Sequence, residues 1–308
     1  CIRDSCLQCG ICSECLACAR ACKAGAVDHE MVEEVLEIPV GAVILTPGVG
    51  LFDARLKEEF GYGRYKNVLT SIEFERMLSA SGPFAGHLQR PSDGQEPRRI
   101  AWIQCIGSRE SGCGQNYCSS VCCMHATKEA IIAREHAPEV EPTIFFLDIR
   151  AFGKGFEAYY ETAQREHGIR YIRSFISSVK EDPATGNLRL VYATPEGETT
   201  EEEFDLVVLS VGLVASPQLQ EMARRLGVAL NRYGFAETHE FSPVATGRPG
   251  VFVAGAFRGP KDIPETVVEA SAAAAAAARL LAPARGTLTR RKVYPPEVDV
   301  RLAEPRVG

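Results

Sequence analysis

No stretch of this sequence approaches the roughly 18 consecutive apolar residues that a membrane span needs. The longest candidate, Ala270 to Ala278, is mostly alanine, so no transmembrane segment is expected. Positive charge is not in surplus either: 34 Lys and Arg face 40 Asp and Glu, a net charge of −6, which removes the electrostatic basis for binding nucleic acid. No charged leader followed by an apolar stretch is present, so no secretory signal is expected, and the start at Cys1 rather than Met reads as a fragment of a longer chain. Cysteine is absent from residues 124–308, although the chain holds 12 of them. A disulfide scaffold would spread its cysteines through a smaller chain. What is present is 308 residues, 45% hydrophobic, enough for a real core and for about two domains. A disordered tail protein is excluded.

The cysteines form two clusters. Seven lie at Cys1, Cys6, Cys9, Cys12, Cys15, Cys18 and Cys22, and five lie between Cys105 and Cys123. The run Cys12-x2-Cys15-x2-Cys18-x3-Cys22 has the spacing with which bacterial ferredoxins wrap a chain around a [4Fe-4S] cube, soft thiolates filling the open iron positions. Lys23 stands where such loops usually carry proline, and Ala24-Gly-Ala-Val27 continues as a small-residue turn. A structural zinc knuckle is the competing reading, but the run holds more cysteines than one tetrahedral ion needs. In two-cluster ferredoxins the fourth cysteine serves the other cluster, so Cys1, Cys6 and Cys9 either help ligate a second cluster or are spare.

In the second cluster, Arg99 to Ile106 is a compact apolar run that fits a buried strand, and Gly107 to Gly114 is a Gly/Ser loop. Ser119 to His136 is predicted to be helical, with Lys128, Glu129, Arg134 and Glu135 pointing outward or toward the loop. Cys118, Cys122 and Cys123 then sit at i, i+4 and i+5 of a helix start, where adjacent turns can aim thiolates at one point. Cys105 at the strand end completes four ligands, and Cys113 is left over. The alternative is that Cys122 and Cys123 are buried apolar filler. A strain-free vicinal disulfide is not accessible and Cys118-x3-Cys122 is not the C-x-x-C of a dithiol oxidoreductase, so one-electron chemistry is favoured.

The remainder alternates strands and helices. Val40 to Leu45 is a strand ending in Thr46-Pro47-Gly48, Phe204 to Leu209 another ending in Ser210-Val-Gly212, and Gly250 to Gly255 a third leading to a helix from Pro264 to Leu281. Thr143 to Asp148, Phe156 to Gly168 and Arg170 to Ile172 read as strand, helix and strand, and Val179 to Glu203 as a hairpin insertion. The expected fold class is α/β with a parallel core. Asp262-Ile-Pro-Glu265 has capping-box spacing. The helix start behind it either presents free N–H groups to an anionic flavin edge or is an ordinary small-residue core helix. Gly153-Lys-Gly155-Phe-Glu-Ala158 matches G-x-G-x-x-A but arrives one strand too late, after Asp148, which ends a strand as a ribose-binding acid would. The first strand of that unit instead carries Cys105-Ile-Gly-Ser-Arg109. The unit is therefore not expected to bind NAD(P)H in the usual way.

Four segments, Trp102-Ile-Gln-Cys-Ile-Gly-Ser-Arg109, Tyr117-Cys-Ser-Ser-Val-Cys-Cys-Met124, Asp148-Ile-Arg-Ala-Phe-Gly-Lys-Gly155 and Gly259-Pro-Lys-Asp-Ile-Pro-Glu265, closely resemble the A-type subunit family of heterodisulfide reductase. The resemblance implies two thioredoxin-reductase-like dinucleotide-binding domains with a ferredoxin-like cysteine-rich N-terminal segment. It divides the chain into an iron–sulfur segment at 1–33, the C-terminal part of an FAD domain at 34–98 and 241–283, a nicotinamide-domain-like unit with a further cluster at 99–240, and a linker at 284–308. It implies FAD, held by Thr46, Gly48, Gly255, Ala256, Pro260, Lys261, Asp262, Ile263 and Pro264, and two or more [4Fe-4S] clusters. By matching position Cys105, Cys118, Cys122 and Cys123 resemble cluster ligands, and Lys128 resembles a lysine that approaches flavin N5. The implied activity is flavin-based electron bifurcation to a low- and a high-potential acceptor, in the cytoplasm. The implied partners are other heterodisulfide-reductase-like subunits, ferredoxin, and hydrogenase or formate dehydrogenase input subunits. This sequence departs from the pattern in lacking a glycine-rich phosphate loop before Cys1 and in placing Ala256 where related flavoproteins often carry an acid. Competing readings are a quinone-interacting membrane-bound oxidoreductase component that relays electrons without bifurcation, and a non-catalytic iron–sulfur scaffold.

Overall fold

A computed structural model describes residues 17–194 and 196–284. Leu206–Val211 (β10) is buried at all six positions, so it needs a strand on each edge and a layer on each face. Those neighbours are present. Val68–Thr70 (β3), Arg99–Ile106 (β4), Glu141–Phe146 (β5) and Arg170–Arg173 (β6) join it in a parallel sheet ordered β3-β10-β4-β5-β6. Alternation along the strands then sorts side chains to two faces. Ala101, Ile103, Phe145, Val207 and Leu209 face an antiparallel meander of Val179–Glu181 (β7), Leu188–Ala193 (β8) and Thr199–Phe204 (β9). Ile100, Trp102, Ile144, Leu206 and Val208 face the helices Ser71–Leu78 (α2), Cys122–His136 (α3) and Phe156–Arg165 (α4). The chain enters this body after a short helix, Ala17–Ala21 (α1).

A second, smaller parallel sheet pairs Val43–Leu45 (β1) with Val251–Val253 (β12). Against it lie Pro217–Arg225 (α5), through Ala223, Leu219 and Met222, and Ile263–Leu280 (α6), through Ala273. The predicted capping box of α6 forms: Asp262 accepts from the Glu265 amide at 2.8 Å, and Glu265 accepts from the Asp262 amide at 3.0 Å. A short antiparallel pair, Gly50–Leu51 (β2) with Leu213–Val214 (β11), ties the two sheets together.

Three expectations need correction. Residues 54–98, grouped from sequence with 241–283, instead deliver β3 and α2 to the large sheet, because Val68, Phe74, Met77 and Leu78 find their apolar partners there. Helix α3 starts at Cys122 rather than Ser119, since Ser120 takes φ +66°, which an α-helix cannot accommodate. Glu129 points inward and is wholly buried because the Trp102 indole N–H donates to it at 3.0 Å. Among the described residues no helix is long and apolar enough to cross a membrane. Cys1, Cys6, Cys9, Cys12 and Cys15 lie outside the described residues, as does the side chain of Cys18.

Candidate functional site

The four cysteines singled out after residue 100 come together at the C-terminal ends of the large sheet. Their first support is a β-bulge. Between Ile103 and Ile106, β4 advances three residues while its partner advances two, from Leu209 to Val211. Cys105 sits inside that bulge at φ +65°, a conformation that redirects its side chain out of the regular pleat. Gly107 follows at φ +66°, and an added Cβ there would lie 2.1 Å from the Phe52 ring, so only glycine lets the chain turn at this point. The loop that carries Cys118 is fixed by a pair of serines. Ser108 Oγ and Ser119 Oγ are 3.1 Å apart, Ser108 Oγ donates to the Tyr117 carbonyl at 3.1 Å, and Ser119 Oγ accepts from the Leu213 amide at 2.9 Å.

Helix α3 then places Cys122 Sγ 3.8 Å from the Val211 carbonyl at the end of β10, and Cys123 Sγ 3.6 Å from the Asp148 carbonyl just beyond β5. The thiols thus sit over the ends of β10, β4 and β5. This is the switch point of the sheet, where the chain leaves β4 toward β5 on one side while β10 lies on the other, and where open α/β sheets bind their ligands.

Burial pushes the Cys105 thiol up to about 11, with Cys123 and Cys118 adding to the effect and Arg109 opposing it. Cys122 is pushed further up by burial and by the other three sulfurs, and Cys123 is raised by burial. Bare thiols packed this way stay protonated at neutral pH. Cys105, Cys122 and Cys123, each resisting ionisation alone, form with Cys118 a set of soft donors in mutual electrostatic contact that a positively charged iron–sulfur core can hold as thiolates. Cys113 faces elsewhere, packing against the apolar core beside Glu110 and Lys57.

Two neighbouring arrangements were not foreseen from the sequence. Asp148 is held by Arg109 at 2.7 Å, with Arg173 at 3.6 Å, and the Arg109 hydrogen bond keeps its carboxyl below the usual range. The acid in the ribose-binding position is therefore already engaged by cations. On the α3 face, Glu75, His125 and Glu129 bring ligand-type atoms within 4.8 Å of one another, and Lys128 Nζ donates to Glu75 at 2.8 Å. Burial raises Glu129 well above the ordinary carboxylate range. The available clue was the single tryptophan on a buried strand, whose N–H needs an acceptor.

At the small sheet, Thr46 and Gly48 follow the end of β1, and Gly255 to Pro264 follow the end of β12, so all the expected flavin residues occupy one edge. Pro260 and Lys261 line an open cleft of about 450 Å³ with Asn231, Glu237, Arg258 and Glu269. The helix start offers fewer unpaired donors than expected, because the capping box uses the Glu265 amide and the Asp262 carbonyl takes the Thr266 amide at 3.1 Å. Glu269, unforeseen from sequence, accepts from the Gly255 amide at 2.9 Å and pairs with Arg258 and, at 3.1 Å, with Lys261. An added Cβ at Gly48 or Gly259 meets nothing within 4 Å, leaving room for the edge of a flat ligand. Near the N-terminus, Cys22 Sγ accepts from the Ala26 amide at 3.4 Å, and the amides of Ala26 and Ala24 hold it below its ordinary value, as suits a metal-binding thiolate.

Paired parallel sheets with ligand edges at their strand ends define a dinucleotide-fold oxidoreductase. Residues 121–274 match the family model described as pyridine nucleotide-disulphide oxidoreductase, and the chain belongs to that family. Within it the sequence resemblance holds. The chain is 45% identical over 276 residues to the A-type iron-sulfur subunit of CoB--CoM heterodisulfide reductase from Methanocaldococcus jannaschii, covering 89% of this chain and 41% of that protein. It is 47% identical over 258 residues to the A-type subunit of H(2)/formate:CoB-CoM heterodisulfide,ferredoxin reductase from Methanococcus maripaludis, covering 83% and 39%. The chain thus spans about two fifths of the length of these relatives. Thioredoxin reductase of Lactococcus lactis is similar in fold, with a TM-score of 0.51 and 19% identity over 79% of this chain and 66% of that one.

Proposed function

We propose that this chain is the electron-relay portion of a heterodisulfide-reductase-A-like protein, an FAD and iron–sulfur oxidoreductase serving flavin-based electron bifurcation. The observation that carries the reading is the gathering of Cys105, Cys118, Cys122 and Cys123 at the switch point of a nicotinamide-type sheet whose ribose-position acid, Asp148, is taken by Arg109. In this reading those four residues hold a [4Fe-4S] cluster, and Cys12, Cys15, Cys18 and Cys22, with Cys6 and Cys9 as further candidates, hold one or more others. Thr46, Gly48, Gly255, Ala256 and residues 260–264 border the flavin. The flavin supplies two-electron acceptance with one-electron release, and the clusters supply one-electron steps.

The chain's own residues do the positioning. The bulge at Cys105 and the Ser108–Ser119 clasp fix where the thiolates point, and the apolar layer around Trp102 and Phe74 keeps water away from the helix that carries two of them. Lys128, paired with Glu75, supplies a positive charge for the flavin N5 edge. The names of the relatives, which include ferredoxin and H(2)/formate, support electron-input partners of the hydrogenase or formate dehydrogenase kind and a ferredoxin acceptor, and such chemistry belongs in the cytoplasm of an anaerobe. Anaerobic counts of iron, sulfide and flavin on the full-length chain test this. Stoichiometric FAD with at least two clusters' worth of iron is expected, and protein that holds zinc and no flavin would refute it.

A further inference from the structure

Two buried side chains beneath the thiols have no hydrogen-bond partner. Gln104, 7% exposed, leaves both Nε2 and Oε1 unsatisfied, and Ser210, 2% exposed, leaves Oγ unsatisfied. They are neighbours across one strand pair. Ser210 lies on β10 between Leu209, paired with Ile103, and Val211, paired with Ile106, so it stands opposite the bulge that contains Gln104 and Cys105. Strand alternation assigns both to the same face. Ile100 and Trp102 precede Gln104 on the face covered by α3, and Leu206 and Val208 precede Ser210 on that face. Beyond them along the strands comes the start of α3, where Cys122 Sγ meets the Val211 carbonyl.

A core with Trp102, Val208 and Ala126 at 0–1% exposure does not place an amide and a hydroxyl on neighbouring strands without partners by default. Buried polar groups are paired in folded proteins, and an amide and a hydroxyl each carry a donor that must go somewhere. The polar layer begins where the apolar layer stops, at the row of the sheet that also carries Cys105. An iron–sulfur core presents what these donors lack, namely sulfur acceptors carrying negative charge. Hydrogen bonds to those sulfurs stabilise the more negative, reduced state and so raise the reduction potential.

We propose that Gln104 and Ser210 are tuning residues that donate hydrogen bonds to the sulfurs of the cluster held by Cys105, Cys118, Cys122 and Cys123, and so raise its reduction potential. This rests on the cluster assigned above. The two residues touch no iron and are not required for its retention, so their effect is on the redox equilibrium and not on cluster content.

The test uses the full-length chain isolated anaerobically, with Ser210→Ala, Gln104→Met and the double variant, Met being close to Gln in size and lacking a donor. Iron and sulfide are counted, and the cluster signal that disappears in Cys123→Ser is titrated potentiometrically by electron paramagnetic resonance. Expected are unchanged iron, a midpoint lowered by several-fold in the one-electron equilibrium for each single variant, and about tenfold, 59 mV, or more for the double. An unmoved midpoint with full iron overturns this proposal alone. Loss of iron from both single variants makes the residues assembly elements and overturns the tuning role. Wild-type protein without iron at these cysteines overturns the parent reading and this proposal with it.

Discussion

The two parallel sheets end in turns of similar grammar but finish their strand ends differently. At the large sheet, Cys105, Cys118, Cys122 and Cys123 close over β10, β4 and β5, and the surrounding Trp102, Ile103, Ile106 and Val208 are buried. At the small sheet, two strands pair among the described residues, Ile44 is 40% exposed, and α6 shows Ile263, Val267 and Val268 at 58–80% exposure. Charges differ as well. Burial raises Glu129, behind the large sheet, well above the ordinary carboxylate range, whereas Glu269 at the small sheet sits between Arg258 and Lys261. In the reading proposed above, the first end encloses a compact group with soft donors and the second meets the edge of a flat one.

The sharpest way to break this contrast is to remove a thiol. Cys123→Ser is expected to lose one cluster's worth of iron and sulfide while α3 remains folded, as read by anaerobic analysis and circular dichroism. Next in size, Trp102→Ala removes a wholly buried indole and leaves Glu129 without its donor. It is expected to cost about 3–5 kcal/mol in denaturant unfolding. The matching change at the small sheet, Glu269→Ala, leaves the nearly buried Lys261 without its carboxylate and is expected to cost about 2–3 kcal/mol.

Glu129→Gln tests the buried carboxyl behind the large sheet by its pH behaviour. The folded value of Glu129 is raised by burial above its unfolded value near the ordinary 4.5, so between those limits the folded state holds the proton and the unfolded state releases it. Wild-type stability therefore falls as pH rises above about 4.5, by up to about 1.4 kcal/mol per pH unit for this one group. Gln cannot ionise, so the variant should gain on wild type between pH 5 and pH 8 in parallel urea titrations. A difference that stays constant with pH would remove the neutral-carboxyl assignment. Smallest in stability is Lys128→Ala, expected to cost under about 1 kcal/mol because its pair with Glu75 is 40% and 46% exposed. It should nevertheless shift the flavin midpoint without loss of iron.

Much of the frame was legible because buried parallel strands announce themselves as apolar runs. Arg99–Ile106 matches its strand residue for residue, and the Asp262–Glu265 capping box places the start of α6. Local spacing was less informative where tertiary contacts decide. Ser119 reads as helical, yet a left-handed Ser120 delays the helix so that Cys118 arrives from a loop clasped by Ser108. The β-bulge has no sequence signature beyond a cysteine in an apolar strand. Residues 54–98 looked continuous with the strand before them, because nothing local announces that Val68 pairs with Val207 about 140 residues away. Glu129 looked like a surface charge beside Lys128, since its burial depends on one indole from another strand.

Mössbauer spectroscopy of 57Fe-labelled, anaerobically isolated full-length chain, compared with a variant carrying serine at Cys105, Cys118, Cys122 and Cys123, tests the central claim most directly. The variant spectrum is expected to lack one [4Fe-4S] component while the remaining components are unchanged. Identical spectra from the two proteins, or zinc bound where iron is expected, would contradict a cluster at the end of this sheet.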